Sequence, residues 1–243
     1  MERALEAVET LAAEFPDVGL VAGNVATPAG VEDLAAAGAD CVKVGIGPGS
    51  HCTTRKVAGA GVPQLTAVDD CATAAADLDV TICADGGTRT SGDAVKALMA
   101  GADTVMLGSL FAGTAEAPGA VVEVEGTRYK RSRGMATTTA AEDRDDKAVD
   151  VTADEGVEAL TPYKGPVADV AAEFCAGIRS GLSYCGGHTL PAAREKAEFI
   201  RVAPSAKDRE GFHADHDWEG VSVDSEVTRV NESGRDVTAE SDD

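Results

Sequence analysis

The sequence lacks the features that would assign it to several large protein classes. Aromatic residues make up only 4% of its 243 residues, and 21 Lys and Arg residues stand against 42 Asp and Glu residues. No apolar run reaches the roughly 18 residues that a membrane-spanning helix needs. No basic stripe is present that could release counterions from a nucleic acid. We therefore expect neither a membrane nor a nucleic acid among its partners.

The cysteines show no pattern of pairing. They stand at positions 41, 52, 71, 83, 175 and 185 of an otherwise globular sequence. A disulfide framework or a zinc site would require short, repeated spacings between cysteines, or between cysteines and histidines. The pattern therefore predicts free thiols and a reducing, cytoplasmic location.

The formal charge of −21 is spread over the whole chain and is not confined to a tail. Concentrated salt screens the repulsion between such charges over a few Å, and an acidic surface stays hydrated there. We interpret the composition as halophilic, that of a protein from a salt-loving organism. An ordinary acidic cytosolic protein is the alternative.

Short apolar segments alternate with helical patterns along the first 110 residues. Strands are predicted at residues 19–23, 41–45, 80–84 and 104–107, with helices before and between them. Short apolar strands in this alternation are typical of a parallel sheet covered by helices. Further along, residues 121–130 predict a hairpin that turns at Glu125-Gly126, residues 167–180 a helix, and residues 199–202 one more strand.

One short sequence occurs twice. Ala-Gly-Ala-Asp stands at residues 37–40 and again at residues 100–103, each time just before a predicted strand. Both strands are followed by a Gly-Ser pair, Gly49-Ser50 and Gly108-Ser109. The repeat predicts two copies of one unit, each presenting backbone N–H groups and a hydroxyl where its strand ends. Barrels of alternating strands and helices bind phosphate at that end.

The most informative segment is Gly-Ile-Gly-Pro-Gly-Ser-His-Cys-Thr-Thr-Arg at residues 45–55, which we call the cysteine loop. Glycines around a proline allow a tight turn whose amides and carbonyls can approach a ligand. Backbone donors and Arg55 near Cys52 would activate its thiol as a nucleophile. Cys41, Cys83 and Cys175 lie in strand or helix patterns, and we expect them to be structural.

A second cluster, Ala84-Asp85-Gly86-Gly87, follows the predicted strand at 80–84. A carboxylate at the end of a buried strand suits a ribose diol, and the amides of two glycines suit the neighbouring phosphate. A simple turn is the alternative reading. Gly108-Ser109 after the next strand favours the nucleotide site, because the two strand ends would be neighbours.

Eight motifs together carry a resemblance to a known family. They are A-G-N-V-A-T at 22–27, the cysteine loop, G-V-P-Q-L-T-A-V at 61–68, A-D-G-G at 84–87, V-M-L-G-S at 105–109, E-A-P-G at 116–119, R-G-M at 133–135 and P-Y-K-G-P-V at 162–167. Residues 1–203 resemble the IMP dehydrogenase / GMP reductase family. The resemblance implies an α/β fold of the TIM (β/α)8-barrel type, with only the last four βα units present, a flap at about 136–158 and a C-terminal segment. Residues 204–243 would be an acidic, loose tail.

The resemblance also implies site residues and a reaction. Cys52 would attack C2 of IMP, hydride would leave to NAD, and water would hydrolyse the thioimidate to XMP. The implied residues fall into four groups: catalytic Cys52, Thr54, Arg144 and Glu155; substrate-binding Ser50, Asp85, Gly87, Gly108, Ser109, Met135 and Glu155; cofactor-binding Asn24, Lys43 and Gly45; and the potassium ligands Gly47, Gly49 and Cys52.

Two departures from the family pattern leave alternatives open. Arg144 is followed by Asp145, where IMP dehydrogenases carry tyrosine, and Ser132 replaces the tyrosine expected before R-G-M. GMP reductases lack the Arg-Tyr pair, so NADPH-dependent conversion of GMP to IMP and ammonia is the alternative. The segments Gly108-Ser109-Leu110 and 116–119 favour the dehydrogenase. A third possibility is a half-barrel without activity of its own, which would require a homo-oligomer or a complementing half-barrel.

Overall fold

The computed structural model describes residues 2–133 and 158–203. Its helices and strands lie within one compact unit, Met1–Ala197. A parallel sheet contains β1 (Val21–Val25), β2 (Cys41–Val44), β3 (Thr81–Asp85) and β4 (Thr104–Met106), in the order β1-β2-β3-β4. The predicted parallel α/β arrangement is therefore confirmed.

The helices around this sheet are α1 (Glu2–Glu14), α2 (Pro28–Ala36), α3 (Thr54–Val57), α4 (Gln64–Ala75), α5 (Ser91–Met99) and α6 (Ser109–Ala112). The two four-residue helices, α3 and α6, were not predicted, because a single turn carries no periodicity. The apolar pattern of the sequence predicts the start of α4 near Val68, whereas the helix begins at Gln64, directly after Pro63. No helix in the described residues is long and apolar enough to cross a membrane.

A second, antiparallel sheet contains β5 (Val121–Val124), β6 (Thr127–Arg133) and β7 (Glu158–Pro162). The predicted hairpin is confirmed: Glu125 and Gly126 have φ angles of 52° and 80°, which is the left-handed pair of a two-residue hairpin turn. Two helices follow, α7 (Val167–Tyr184) and α8 (Leu190–Arg194). The strand predicted at 199–202 is wrong. Those residues form no strand and are exposed, because an apolar run becomes a strand only where a neighbouring strand completes its hydrogen bonds.

The main core lies between the parallel sheet and helices α2 and α4. Val42, Val44 and Ile82 from the strands are at most 1% exposed and pack with Val31 of α2 and Val68 of α4. Each such side chain contributes about 1.5–3 kcal/mol to folding by leaving water. The core thereby fixes where each parallel strand ends.

The two faces of the parallel sheet differ in burial. Residues paired across the strands share a face, and the face opposite the core carries Val21, Thr81, Thr104 and Met106, all exposed, together with the buried Cys83. Val21 is 57% and Met106 44% exposed. Parallel sheets are normally covered on both faces, so this face is unusually open within the described residues.

Candidate active site at the carboxyl ends of the parallel strands

The cysteine loop leaves the carboxyl end of β2 in close contact with the end of β3. Gly45 is buried, and a side chain there would collide with the backbone carbonyl of Asp85. Farther along, the N–H of Cys52 donates to the carbonyl of Gly49 at 3.0 Å and closes a turn. The glycine at 45 is therefore required by the close approach of two strand ends.

The thiol of Cys52 is half-buried and donates a hydrogen bond to the hydroxyl of Thr54, with 3.1 Å between Sγ and Oγ1. Thr54 is the first residue of α3, so the helix holds the hydroxyl beside the sulfur. The structure thus brings together two of the predicted catalytic residues.

Two other cysteines have different surroundings. Burial, with a smaller effect of the Asp70 charge, raises the pKa of the Cys71 thiol to about 11. Burial also raises the pKa of Cys83, although a hydrogen bond with Thr104 opposes the shift. Both thiols are therefore protonated at neutral pH, which agrees with the structural role predicted for Cys83.

Arg55 contacts the far side of the cysteine loop. Its guanidinium donates to the carbonyl of Val62 at 2.6 Å, and a Cβ at Gly47 or Gly61 would lie 2.7 Å from its Cγ. The side chain thus packs between Gly47 of the loop and the segment Gly61–Val62 that follows the loop. The sequence predicts Arg55 near Cys52 but does not indicate this contact with Val62.

The turn Asp85–Gly87 packs directly on the cysteine loop. Gly86 and Gly87 have φ angles of 93° and 80°, and a Cβ on Gly86 would approach Cγ of Pro48 to 2.8 Å. Glycine is needed at 86 for both reasons, its conformation and this contact. The predicted ribose and phosphate segments are therefore adjacent in space.

Asp85 is the centre of a hydrogen-bonded cluster. Its Oδ2 accepts from Nδ2 of Asn24 at 2.9 Å and forms an ion pair with Nζ of Lys43, also at 2.9 Å. Nδ2 of Asn24 additionally donates to the carbonyl of Gly45 at 3.0 Å. The residues predicted for the ribose and for the cofactor therefore meet, and none of the described residues donates to Oδ1 of Asp85.

The two predicted phosphate hydroxyls are also neighbours. Oγ of Ser50, in the cysteine loop, donates to Oγ of Ser109 at 3.1 Å. Ser109 begins α6 just after Gly108 at the end of β4. Two loops that are distant in sequence thus present a pair of hydroxyls at one place.

Gln64 is a positioning residue that the sequence analysis missed. Its Nε2 donates to the carbonyl of Val44 at 2.8 Å and to that of Asp85 at 3.3 Å. These two acceptors fix the orientation of the amide and hold the ends of β2 and β3 together. Its Oε1 is buried and has no hydrogen-bond partner among the described residues. The only available signal was a polar side chain directly after Pro63, where a helix begins.

Met135, Arg144 and Glu155 lie outside the described residues. Their predicted roles, and that of the flap, therefore stay predictions.

Comparisons with known proteins agree with this geometry. A profile of the IMP dehydrogenase / GMP reductase domain matches residues 1–213. The chain belongs to the IMP dehydrogenase / GMP reductase family. It is 51% identical over 211 residues to inosine-5'-monophosphate dehydrogenase of Nitrosopumilus maritimus, a match that covers 83% of this chain and 44% of that protein. The corresponding enzyme of Aquifex aeolicus is 50% identical over 207 residues, covering 83% of this chain and 42% of that protein.

A solved member of the family has the same fold. A cysteine-to-alanine variant of GMP reductase from Trypanosoma brucei, in complex with guanosine 5'-monophosphate, superposes with a TM-score of 0.81 at 42% identity. The match covers 86% of this chain and 44% of that one. The chain thus spans less than half the length of the family members it matches.

Proposed function

We propose that the protein is an IMP dehydrogenase-type oxidoreductase, which oxidises IMP to XMP with NAD through a covalent adduct on Cys52. The observation that carries the proposal is the position of the Cys52 thiol. It lies on a loop that packs against the Asp85–Gly87 turn and shares a hydroxyl pair with the end of β4. The thiol, the carboxylate and the hydroxyls that we propose for the base, the ribose and the phosphate therefore lie on adjoining segments.

The nucleotide would bind with its phosphate at Ser50, Ser109 and the amides of Gly87 and Gly108. Ser50 and Ser109 each have a hydroxyl that can turn from its present partner to a phosphate oxygen. The ribose hydroxyls would donate to Asp85, whose Oδ2 is already fixed by Asn24 and Lys43. Because both oxygens lie in one carboxylate plane, fixing Oδ2 also fixes the position of Oδ1.

The proposed reaction has two chemical steps. First, the Cys52 sulfur adds to C2 of the hypoxanthine ring and a C–S bond forms, while the hydride on C2 leaves. NAD, if bound beside Asn24 and Lys43, would supply the acceptor for that hydride and leave as NADH. Water then adds to C2 of the thioimidate, the C–S bond breaks, the sulfur takes back a proton from the water and XMP leaves, so that the one proton released is the one that the thiol lost in the first step. The balance is IMP, NAD and water to XMP, NADH and a proton.

Thr54 would accept the proton that the Cys52 thiol loses in the first step and pass it on. Its hydroxyl accepts the hydrogen bond of the Cys52 thiol at 3.1 Å, so the thiol proton has an immediate acceptor. Glu155 and Arg144 are the proposed further members of the relay and the water site.

The cofactor and the cation would flank this site. Asn24, Lys43 and Gly45 form the side of the Asp85 cluster proposed to face the nicotinamide. Potassium would bind the carbonyls of Gly47, Gly49 and Cys52, since carbonyl oxygens are its usual protein ligands. The Gly49 carbonyl accepts the N–H of Cys52, and its second lone pair would serve the cation.

We further propose that the four βα units are the second half of a (β/α)8 barrel. The parallel sheet has four strands, β1 and β4 each pair on one side only within the described residues, and the face opposite the core is open. A closed barrel needs eight strands and covers that face with its own interior. The remaining strands would come from another part of a longer chain or from a partner chain.

A trapping experiment tests the proposal. The protein is incubated in molar potassium chloride with IMP and NAD, quenched, and its intact mass is measured. We expect an added mass of one nucleotide in the wild type and in Cys175→Ala, and none in Cys52→Ala. Cys175 is the matched control because its thiol is exposed on α7. A folded wild type without an adduct would favour the half-barrel that needs a partner.

GMP reductase activity is the second candidate. It is favoured by the GMP-bound family member of the same fold and by Asp145 after Arg144, where the dehydrogenase would need tyrosine. Two assays separate the candidates: NADH formation with IMP supports the dehydrogenase, and NADPH consumption with GMP supports the reductase.

A further inference from the structure

A histidine beside the nucleophile connects the cysteine loop to the antiparallel sheet. Nε2 of His51 lies 3.0 Å from Oγ of Ser132 on β6. Oγ of Ser132 lies 2.8 Å from Oγ1 of Thr161 on β7 and donates to the carbonyl of Ala159 at 3.3 Å. All three side chains are half-buried.

We propose that His51 is a positioning residue, which holds the cysteine loop in its reactive geometry through Ser132. The inference rests on the proposed function only in taking Cys52 as the nucleophile. His51 is the chain neighbour of both Ser50 and Cys52, so its side chain constrains a phosphate-binding hydroxyl on one side and the thiol on the other.

The number of protons available in this network determines whether Nε2 of His51 donates or accepts. Ser132 has one proton, and its contact with the carbonyl of Ala159 can only use that proton. The arrangement that satisfies all three contacts has Thr161 and Nε2 of His51 both donating to Ser132. In this arrangement the link from His51 is an N–H···O bond.

The partner of His51 belongs to a firmly paired part of the structure. Ser132 and Ala159 are register partners in the β6–β7 ladder, and Ser132 is separated from His51 by 81 residues. Near Cys52, the other contacts of the loop described above are the local Gly49–Cys52 turn and the bond between the exposed hydroxyls of Ser50 and Ser109, which joins the loop to another loop end. A long-range contact to a sheet restrains the loop more than a local turn can, because the sheet cannot move with it.

The test compares loop opening and thiol access without any nucleotide. Hydrogen–deuterium exchange of peptides covering the cysteine loop and alkylation of Cys52 by iodoacetamide are measured for His51→Ala and Ser132→Ala. We expect both rates to rise about threefold to tenfold, the factor that one lost hydrogen bond produces in an opening equilibrium. The double variant should show no further increase, since both substitutions remove the same bond.

Two further variants make the comparison specific. His51→Gln can place an amide N–H where Nε2 stands and should stay within about twofold of the wild type. His188→Ala removes an exposed histidine from the loop before α8 and should change neither rate. If His51→Ala behaves like His188→Ala, or if the two effects multiply in the double variant, the proposal is overturned. If His51→Ala does not fold, Ser132→Ala and His51→Gln decide the question by the same rates.

The result is independent of the nucleotide reaction. A chain that forms no adduct with IMP but loses loop protection in His51→Ala would contradict the proposed function and support the positioning role. Adduct formation with unchanged loop exchange in His51→Ala would do the reverse.

Discussion

The molecule contains one structural unit twice, and the two copies agree at one end of the parallel sheet and differ at the other. Both begin at a threonine whose hydroxyl accepts an N–H of the first helical turn, from Gly30 to Thr27 and from Asp93 to Thr90. Helices α2 and α5 then have nine residues each. The same local signals thus produce the same helix in both copies.

The helices also end in the same way. Gly38 and Gly101 have φ angles of 97° and 111°, and each is followed by an alanine whose N–H bonds back to the helix. The Asp of each repeat then closes the amino end of the sheet. Asp40 accepts the N–H of Leu20 at 2.6 Å, and Asp103 accepts that of Ile82 at 2.9 Å.

Beyond the strands the copies diverge. After Gly45 the first copy continues through the cysteine loop, whereas after Gly108 the second enters α6 at once. The amino ends of the strands are determined by folding requirements that both copies share. The carboxyl ends carry the residues proposed for chemistry, as is general for barrels of this type.

The two copies should differ most in their effect on activity, because only the first carries a thiol, that of Cys52, beyond the carboxyl end of its strand. Cys52→Ser should lower the rate of NADH formation from IMP by about a thousandfold or more, because a hydroxyl is a far weaker nucleophile than a thiol. Nucleotide affinity should change little. Steady-state assays and IMP binding measure the two effects, with Cys175→Ser as control. Turnover within tenfold of the wild type would contradict the role of Cys52.

Replacing either of the two shared glycines, Gly38 or Gly101, by alanine should lower the free energy of unfolding, but by different amounts. Gly101→Ala places a Cβ against that of Ala72 on α4, and Gly38→Ala places one 2.8 Å from that of Ala12 on α1. We expect losses in unfolding free energy of about 2–3 kcal/mol and about 1–2 kcal/mol, from the positive φ and the collision. The second is smaller because Val8 is the only buried residue that attaches α1, so α1 can shift. Urea unfolding measures both, and equal losses would contradict the explanation.

The two aspartates test a finer difference. Asp103 also contacts Arg194 of α8, with 3.3 Å between Oδ1 and the guanidinium, whereas Asp40 belongs to no ion pair that the described residues form. We expect Asp103→Ala to lower the unfolding free energy by about 2 kcal/mol and Asp40→Ala by about 1 kcal/mol. A double-mutant cycle of Asp103 and Arg194 measures the additional interaction. No coupling between them would remove this distinction.

The smallest expected effect concerns the start of the helices. Burial raises the pKa of Asp93, but other interactions outweigh this effect and lower the pKa overall. Its carboxylate accepts hydrogen bonds from the N–H groups of Arg89 and Thr90 and from the Thr90 hydroxyl, and it is also stabilised by the positive charge of Lys96. A carboxyl whose pKa is lower in the folded state stabilises the protein at pH values above its ordinary pKa of about 3.9. This stabilisation is lost as the pH falls through the pKa of the folded state.

Because solvent screens this partly exposed carboxylate, Asp93→Asn should cost only about 0.5 kcal/mol at pH 7 and progressively less below pH 4. Unfolding measured across this pH range checks the prediction. Asp33→Asn, on the equivalent helix α2 but with no capping role, is the control. A pH-independent loss in Asp93→Asn would contradict the charge-based explanation.

Much of the fold follows from short-range signals in the sequence. The four parallel strands, the helix starts at Thr27 and Thr90 and the hairpin turn at Glu125-Gly126 each depend on a few neighbouring residues. The single-turn helices were not predictable, because one turn shows no apolar period. The start of α4 was not predictable either, because a helix can begin directly after Pro63 or several residues later.

The candidate site was predictable as a set of segments but not as an arrangement. The sequence indicated Cys52 and Asp85 by their glycine-rich surroundings. It did not indicate that Gln64 bridges the ends of β2 and β3, or that His51 bonds to Ser132.

The sequence by itself determined the order of the elements, the family and the segments that we propose for chemistry, because apolar periodicity, helix caps and turn glycines act over a few residues. Only the tertiary structure decided which side chains meet. The contacts of Asn24 with Asp85, Ser50 with Ser109 and His51 with Ser132 span 61, 59 and 81 residues. Such pairs arise from the packing of helices against the parallel sheet and from strand register, which no local pattern encodes.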